Sequence, residues 1–224
     1  MPTILITGAN RGIGLESSLQ FAADGWRVLA CCRNPYAASE LAAMDGITVH
    51  ELDVADIVSV DRLAQKISDP IDVLLNNAGQ NSRSPTDFGS MDYNGWADLF
   101  TVNTLAPFKM IEAFHDHLRR SDRKVVANVS SQMGSIADTS SGYVPYRASK
   151  AALNMVTKAL SGDLAADKII VFSVHPGWVR TDMGGPNATV SPEDSAAGIK
   201  KLIESANAKA SGEFFNWTGE TLPW

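Results

Sequence analysis

Short apolar runs and helical periodicities alternate along the chain from one end to the other. Runs rich in aliphatic and β-branched residues predict strands at 3–7, 27–31, 47–50, 71–75, 124–129, 169–174 and 213–216. Between them, apolar positions spaced by three and four predict helices near 12–24, 36–44, 57–68, 92–118, 144–166 and 192–206. Ile57, Val60, Leu63, Ala64 and Ile67 show the helical repeat clearly, and Gly25 stands where the first helix should stop. Runs such as Val73-Leu74-Leu75 are apolar on both faces, as expected of parallel strands covered by helices on each side. The alternation implies βαβ units with right-handed crossovers, so the expected fold class is α/β, a doubly wound parallel sheet. No repeat, low-complexity tract or linker divides the 224 residues, and one domain spanning 1–224 is expected. Two long irregular stretches, 78–91 and 176–191, follow strand ends, where such sheets place their ligands.

Composition narrows the function classes. A formal net charge of −6 argues against nucleic acid or an acidic membrane surface as a partner. The densest basic group, Arg119-Arg120 with Arg123-Lys124, reads as a solvated helix end suited to the dipole. Cys31 and Cys32 are adjacent in an apolar run, without further cysteines for a disulfide framework or metal ligands at suitable spacing. They read as small core hydrophobes, and no metal is expected. No apolar stretch approaches the length of a membrane span, and Met1-Pro2-Thr3 leads into the first strand without a leader-like segment, so the expected location is the cytoplasm.

Candidate chemistry begins at Thr7-Gly8-Ala9-Asn10-Arg11-Gly12-Ile13-Gly14, between the first strand and the first helix. Glycines at 8, 12 and 14 allow a tight turn and close backbone approach to a pyrophosphate, while N–H groups of the helix start face the anion. At the end of the second strand, a carboxylate suits a free ribose 2′-hydroxyl and a cation suits a 2′-phosphate. This chain has Cys32 and then Arg33, with Arg11 inside the glycine loop. The two guanidiniums predict NADP(H) rather than NAD(H).

Reduction of a carbonyl needs a hydride from a cofactor and a proton for the developing alkoxide. Tyr146 and Lys150 stand four apart in a helical segment and share a face. A neighbouring ammonium is expected to lower the phenol pKa and make Tyr146 a usable acid or base. The structural alternative is a snorkelling lysine beside a half-buried tyrosine. Ser130 and Ser131 end the fifth strand, where a hydroxyl can donate to a substrate oxygen as charge builds. Asn103 lies inside the predicted 92–118 helix, where an unpaired buried amide would be costly; a surface position is the alternative. His175 ends the sixth strand and reads as a satisfied core histidine rather than a base.

The TGxxxGIG spacing, Asn76-Asn77-Ala78-Gly79, the serine pair, Tyr146-x-x-x-Lys150 and Pro176-Gly177-x-Val179-x-Thr181 occur in the order that resembles the short-chain dehydrogenase/reductase family. The Tyr146–Met155 segment and the ending Gly219–Trp224 look most like its subgroup of C-factor-like proteins and sniffer-type carbonyl reductases. The resemblance implies a Rossmann-type sheet of about seven strands in the order 3-2-1-4-5-6-7. It implies Asn103, Ser131, Tyr146 and Lys150 as the catalytic set, with the asparagine holding a water that passes protons to the lysine. It further implies cofactor contacts from Gly8, Asn10, Arg11, Gly12, Ile13, Gly14, Arg33, Asp53, Val54, Asn77, Ala78, Gly79, Tyr146, Lys150, Pro176, Gly177, Val179 and Thr181. For Asp53, capping the next helix is the structural alternative. The interval from Ser131 to Tyr146 is two residues longer than the family's usual one, which bears on the shape of the loop within 132–145.

The segment from Thr181 to the helix starting near Pro192 is short, which implies an open, shallow substrate pocket. Ser131, Gln132, Met133, Tyr143, Trp178 and Met183 are its expected lining, with Trp96 and Gln80 further candidates. Their apolar character suggests a small apolar or aromatic carbonyl or alcohol as substrate. A signalling protein that binds the nucleotide, with catalysis incidental, is the second reading. A homodimer through the 92–118 and 144–166 helices, with Ala148, Ala151, Ala152 and Met155 on its face, is expected.

Overall fold

The computed structural model describes residues 1–81 and 88–224; the 82–87 part of the irregular 78–91 stretch lies outside the described residues. Strands β1 (Thr3–Thr7), β2 (Arg27–Cys32), β3 (Ile47–Glu51), β4 (Val73–Asn76), β5 (Val125–Val129), β6 (Ile170–His175) and β7 (Phe214–Asn216) form one sheet. Every pairing is parallel and the order is β3-β2-β1-β4-β5-β6-β7. Helices α1 (Gly12–Ala23), α2 (Ser39–Ala42), α3 (Ile57–Lys66), α4 (Tyr93–Phe100), α5 (Ala106–Ala113), α6 (His115–Arg119), α7 (Val144–Asp163) and α8 (Pro192–Ser205) complete the described architecture.

Strand residues that are apolar on both faces feed two separate cores. Ile4, Ile6, Val28, Val73 and Phe172 pack with Phe21 of α1 and with Ile199 and Ile203 of α8. Their neighbours Leu5, Leu29, Leu74, Val126 and Val171 pack on the opposite face with Val60, Met110, Phe114 and Leu160. Cys31 is fully buried in that second core, so both its surroundings and the neighbouring Cys32 hold the thiol above its ordinary pKa. Among the described residues no group of histidine, cysteine and acidic side chains is arranged for a metal, and no helix is long and apolar enough to cross a membrane.

Two predicted helices differ from the periodicity. The 36–44 segment is a 3₁₀ turn over Pro35–Ala38 followed by the four-residue α2. The 92–118 helix is interrupted by a π-helical turn, Thr101–Leu105, and breaks again between α5 and α6. Pro107 explains the first interruption, because it has no N–H to return an ordinary i→i−4 bond to the Asn103 carbonyl. Such π turns concentrate at functional positions. Asp56, rather than Asp53, caps α3, through its side chain and the Val58 N–H at 2.9 Å.

One polar chain crosses the second core. Asn76 Nδ2 donates to Asn128 Oδ1 at 2.9 Å, and Asn128 Nδ2 donates to Thr157 Oγ1 at 2.9 Å. Thr157 Oγ1 also accepts from Ser173 Oγ and donates to the Leu153 carbonyl. This chain ties three strands to α7 in a single register. Replacing Asn128 by Ala would take from buried Asn76 Nδ2 its 2.9 Å partner and break the chain between β4 and α7, and we expect about 2–3 kcal/mol lower stability in urea unfolding.

Candidate active site

The carboxyl ends of β1, β2, β4, β5 and β6 open onto a cleft of about 630 Å³. Its floor is the loop between β1 and α1. Gly8 and Gly12 have φ of +65° and +52°, the left-handed region that glycine adopts without strain. A Cβ on Gly14 would fall 2.3 Å from the Gly8 carbonyl oxygen and 2.5 Å from Asn77 Nδ2, so the loop is folded too tightly there for any side chain. Asn77 Nδ2 donates to the Thr7 and Gly8 carbonyls, and the Thr7 hydroxyl accepts from the Asn77 and Ala78 N–H groups. The glycine loop and the end of β4 are thereby one unit.

Gly8, Asn10, Arg11, Gly12, Ile13, Arg33, Asp53, Val54, Asn77, Ala78, Gly79, Tyr146, Lys150, Pro176 and Thr181 all line this cleft. Gly14, Gly177 and Val179 do not; they act from behind it. Gly177, with φ +87°, leaves space for Trp217 and Val190, each 2.9 Å from where a Cβ would sit. Val179 is buried and bridges Val190, which aims Thr181 at the glycine loop: its methyl would lie 2.9 Å from a Cβ on Gly12. Cys32 and Arg33 end β2 at one wall, the arginine exposed and with no carboxylate at the strand end. Arg11 spans the mouth to Asp182 at 2.7 Å, with both groups largely exposed. Asp182, Leu52, Val102, Arg180 and Glu16 also line the cleft and escaped the sequence reading. An acid directly after Thr181, three residues past Val179, is the one signal that could have marked Asp182. Asp53 does not cap α3; its carboxylate accepts from the Ala55 N–H at 3.0 Å.

Helix α7 presents Tyr146 and Lys150 to the cleft from its first turns, after Pro145 and a left-handed Tyr143 start it. Lys150 Nζ donates to the Val129 carbonyl at 2.9 Å and lies 6.0 Å from the Tyr146 ring centroid. Burial lowers its pKa to about 8. The phenol does not show the expected downward shift. Its burial raises the pKa, and the hydrogen bond with the Ser131 hydroxyl offsets only part of that rise. Ser131 thus stands against the phenol at the end of β5, while Ser130 lines the cleft and donates to Asn154 Oδ1 at 2.7 Å.

Asn103 is fully buried in the π turn, which removes the surface alternative. Its Oδ1 accepts from Gln80 N–H, and its Nδ2 donates to the Gln80 carbonyl and to Ser149 Oγ, at 2.9, 2.9 and 3.0 Å. Both amide hydrogens are therefore engaged, and the side chain clamps the chain beyond β4 to α7. His175 is pushed down to about 4 by burial, which keeps it neutral; it is half-buried at the end of β6 and its Nδ1 finds no partner among the described residues, so it is not the satisfied core histidine expected.

Of the expected substrate-pocket residues, Met183 lines the cleft, as does Gln80. Ser131 reaches it only through the phenol. Gln132, Met133, Tyr143, Trp178 and Trp96 lie outside its lining, because local contacts draw several of them away. Gln132 Nε2 binds Asp138 at 2.6 Å, and Trp178 Nε1 binds the Gly184 carbonyl at 2.8 Å. Tyr143 and Trp178 are exposed.

The family model that matches the chain is the short chain dehydrogenase, over residues 2–190. C-signal of Myxococcus xanthus is 43% identical over 156 residues, 69% of this chain and 93% of that protein. The carbonyl reductase Sniffer of D. melanogaster superposes with a TM-score of 0.95 at 33% identity, covering 100% of both chains. An NADPH-bound carbonyl reductase from chicken fatty liver superposes with a TM-score of 0.92 at 31% identity, covering 100% of this chain and 99% of that one.

The lysine supplies a test independent of activity. Lys150 titrates near 8 when folded against ~10.4 unfolded, so the folded chain binds fewer protons between those values. Its stability should therefore rise with pH in that window. Relative to Lys150→Met, the wild type should gain about 2 kcal/mol in urea unfolding between pH 7 and 9.5.

Proposed function

Because the chain belongs to the short-chain dehydrogenase family, we propose that it is an NADP(H)-dependent reductase of small, mostly apolar carbonyl compounds, with Tyr146 as the proton donor. The observation that carries this reading is the convergence of Tyr146, Lys150 and the Ser131 hydroxyl at one end of a cleft floored by a glycine loop. The residues fit a dinucleotide with a 2′-phosphate. The loop is cleared of side chains at Gly8, Gly12 and Gly14, and Arg33 with Arg11 stands at the β2 end without a strand-end carboxylate. Asp53 and Val54 line the wall beyond β3, and Asn77–Gly79 with Pro176 and Thr181 line the opposite wall.

When bound, the reduced nicotinamide supplies the hydride. Tyr146 donates its proton to the carbonyl oxygen as negative charge builds there, so carbonyl, hydride and proton sum to the alcohol. A phenol held above its ordinary pKa stays protonated at neutral pH, which suits the reductive direction. Ser131 donates to the same oxygen, an oxyanion-type contribution. Lys150, charged below its pKa of about 8, stabilises the tyrosinate left behind. Asn103 holds Gln80 and α7 in place around this group. Met183 adds an apolar side chain to the cleft lining.

Similarity to C-signal supports a second reading, a signalling protein in which nucleotide binding matters and turnover is incidental. NADPH oxidation across aldehydes, ketones and diketones separates the two. Tyr146→Phe should lose about 10²–10⁴-fold in kcat while still binding NADPH; equal rates for the two proteins would defeat the reductase reading. Arg33→Asp should move the KM ratio toward NADH by about 10- to 100-fold, since a charge-assisted contact becomes repulsive. An unchanged preference would show that Arg33 does not read the phosphate.

A further inference from the structure

We propose that Thr221–Trp224 is a positioning element for the loop that carries the Ser131 hydroxyl. Proton transfer at Tyr146 then depends on Trp224, a residue that does not line the cleft. The inference rests on the reductase reading above.

The loop after β5 is long for its task. It runs from Ser131 through a 3₁₀ turn at Gln132–Gly134 to the start of α7. Its first half folds on itself: Gly134 N–H donates to the Ser131 carbonyl at 2.8 Å, and Met133 N–H donates to Ser131 Oγ at 3.2 Å. Below, it is seated on α7. A Cβ on Gly134 would lie 2.8 Å from the Lys150 carbonyl carbon, and Asn154 Nδ2 donates to the Gly134 carbonyl. An exposed stretch of this length keeps one conformation only where further contacts hold it.

Those contacts come from the far end of the chain. The Trp224 backbone oxygen accepts three hydrogen bonds from the loop: Ile136 N–H at 2.7 Å, Ala137 N–H at 3.1 Å and Ser135 Oγ at 3.0 Å. Ser135, itself buried, accepts in turn from Asp138 N–H at 3.1 Å. Successive N–H groups converging on one oxygen make a cradle for it. Trp224 reaches this place because the chain turns back after β7. Asn216 N–H donates to the Glu220 carbonyl, Phe215 bridges Thr221 antiparallel, and Leu222 N–H donates to the Phe214 carbonyl. The indole stacks on buried Phe214 at 5.6 Å with an interplanar angle of 19°, and Lys158 Nζ of α7 lies 5.9 Å from its centroid. The ring anchors the segment, and the segment's oxygen holds the loop.

The link to chemistry is Ser131. Its hydrogen bond pulls the phenol pKa down against the burial that raises it, while Lys150, the charged group facing the ring at 6.0 Å, stays on α7; a loop that drifts should both misplace the hydroxyl and let the tyrosine become a weaker acid. A purely structural anchor would not move a titration.

The test uses the full chain with Trp224→Ala and Trp224→Phe, a reducible aldehyde and its alcohol, and NADPH or NADP⁺. Trp224→Ala should lower kcat by about 10- to 100-fold, the size of effect that a misplaced catalytic group produces. The dissociation constant for NADPH, read by fluorescence, should stay unchanged. The rising limb of alcohol oxidation against pH, which follows formation of the tyrosinate, should move to higher pH. Trp224→Phe, which keeps a stacking ring, should restore both readouts. An active wild type with an unaltered rate and pH limb in Trp224→Ala overturns the inference. So does a loss of rate accompanied by weaker NADPH binding with the pH limb fixed, because that pattern means general loosening. A wild type that binds NADPH but reduces no carbonyl overturns the reductase reading, and this inference with it.

Discussion

The register in which α7 lies on the sheet is the constraint from which the rest follows. Tyr146, Lys150, Asn154 and Thr157 form one buried polar stripe along this helix, and each meets a different neighbour. Lys150 meets the Val129 carbonyl, Asn154 meets Ser130 and Gly134, and Thr157 meets Asn128 and Ser173. Buried polar groups are costly when unpaired and mutually reinforcing when all are paired. A slip of one residue would orphan the whole stripe at once, so these hydrogen bonds select a single docking position. The same position sets Tyr146 beside Ser131.

Burial gives this site its character. The lysine is taken out of water and titrates near 8, and the phenol is taken out of water and is held above its ordinary value. Each shift opposes charge on its own group, so the pair favours the neutral phenol until the reaction itself creates charge nearby. The mouth of the cleft is built differently. Arg11 and Asp182 pair there in solvent, where such a contact contributes little to stability. Arg11 is consequently available to a phosphate without a large loss elsewhere.

Contacts between loops hold the residues around Tyr146, Lys150 and Ser131 in place. The π turn brings Asn103 over Gln80, the loop after β6 lays Thr181 on Gly12, and the returning chain after β7 sets Trp224 against the serine loop. The last two of these contacts join segments from different βαβ units. A site assembled in this way is sensitive to packing far from the chemistry.

The fold was largely legible in the residues themselves. Aliphatic runs of strand length alternating with helical periods specify a parallel sheet, because only helices on both faces can cover strands that are apolar on each side. The seven parallel strands match that expectation, and their order matches what the family resemblance implied. The glycine loop was equally legible, since Gly8, Gly12 and Gly14 mark backbone positions where a Cβ would strain or collide. What the sequence could not show depends on distance in space. Periodicity reads 92–118 as one helix, and the break at Asn103 appears only when the missing Pro107 donor is combined with the pull of Gln80 and Ser149. Spacing places Tyr146 next to Lys150, but the direction of the phenol's shift was decided by desolvation, a property of everything packed around it. The pairing of Arg11 with Asp182, and the departure of Gln132 and Trp178 from the cleft, rest on loop contacts that leave no periodic trace in the chain. Local pattern determined which elements exist and where the glycine loop lies; tertiary packing alone decided which side chains lose their water, and that loss of water sets their chemistry.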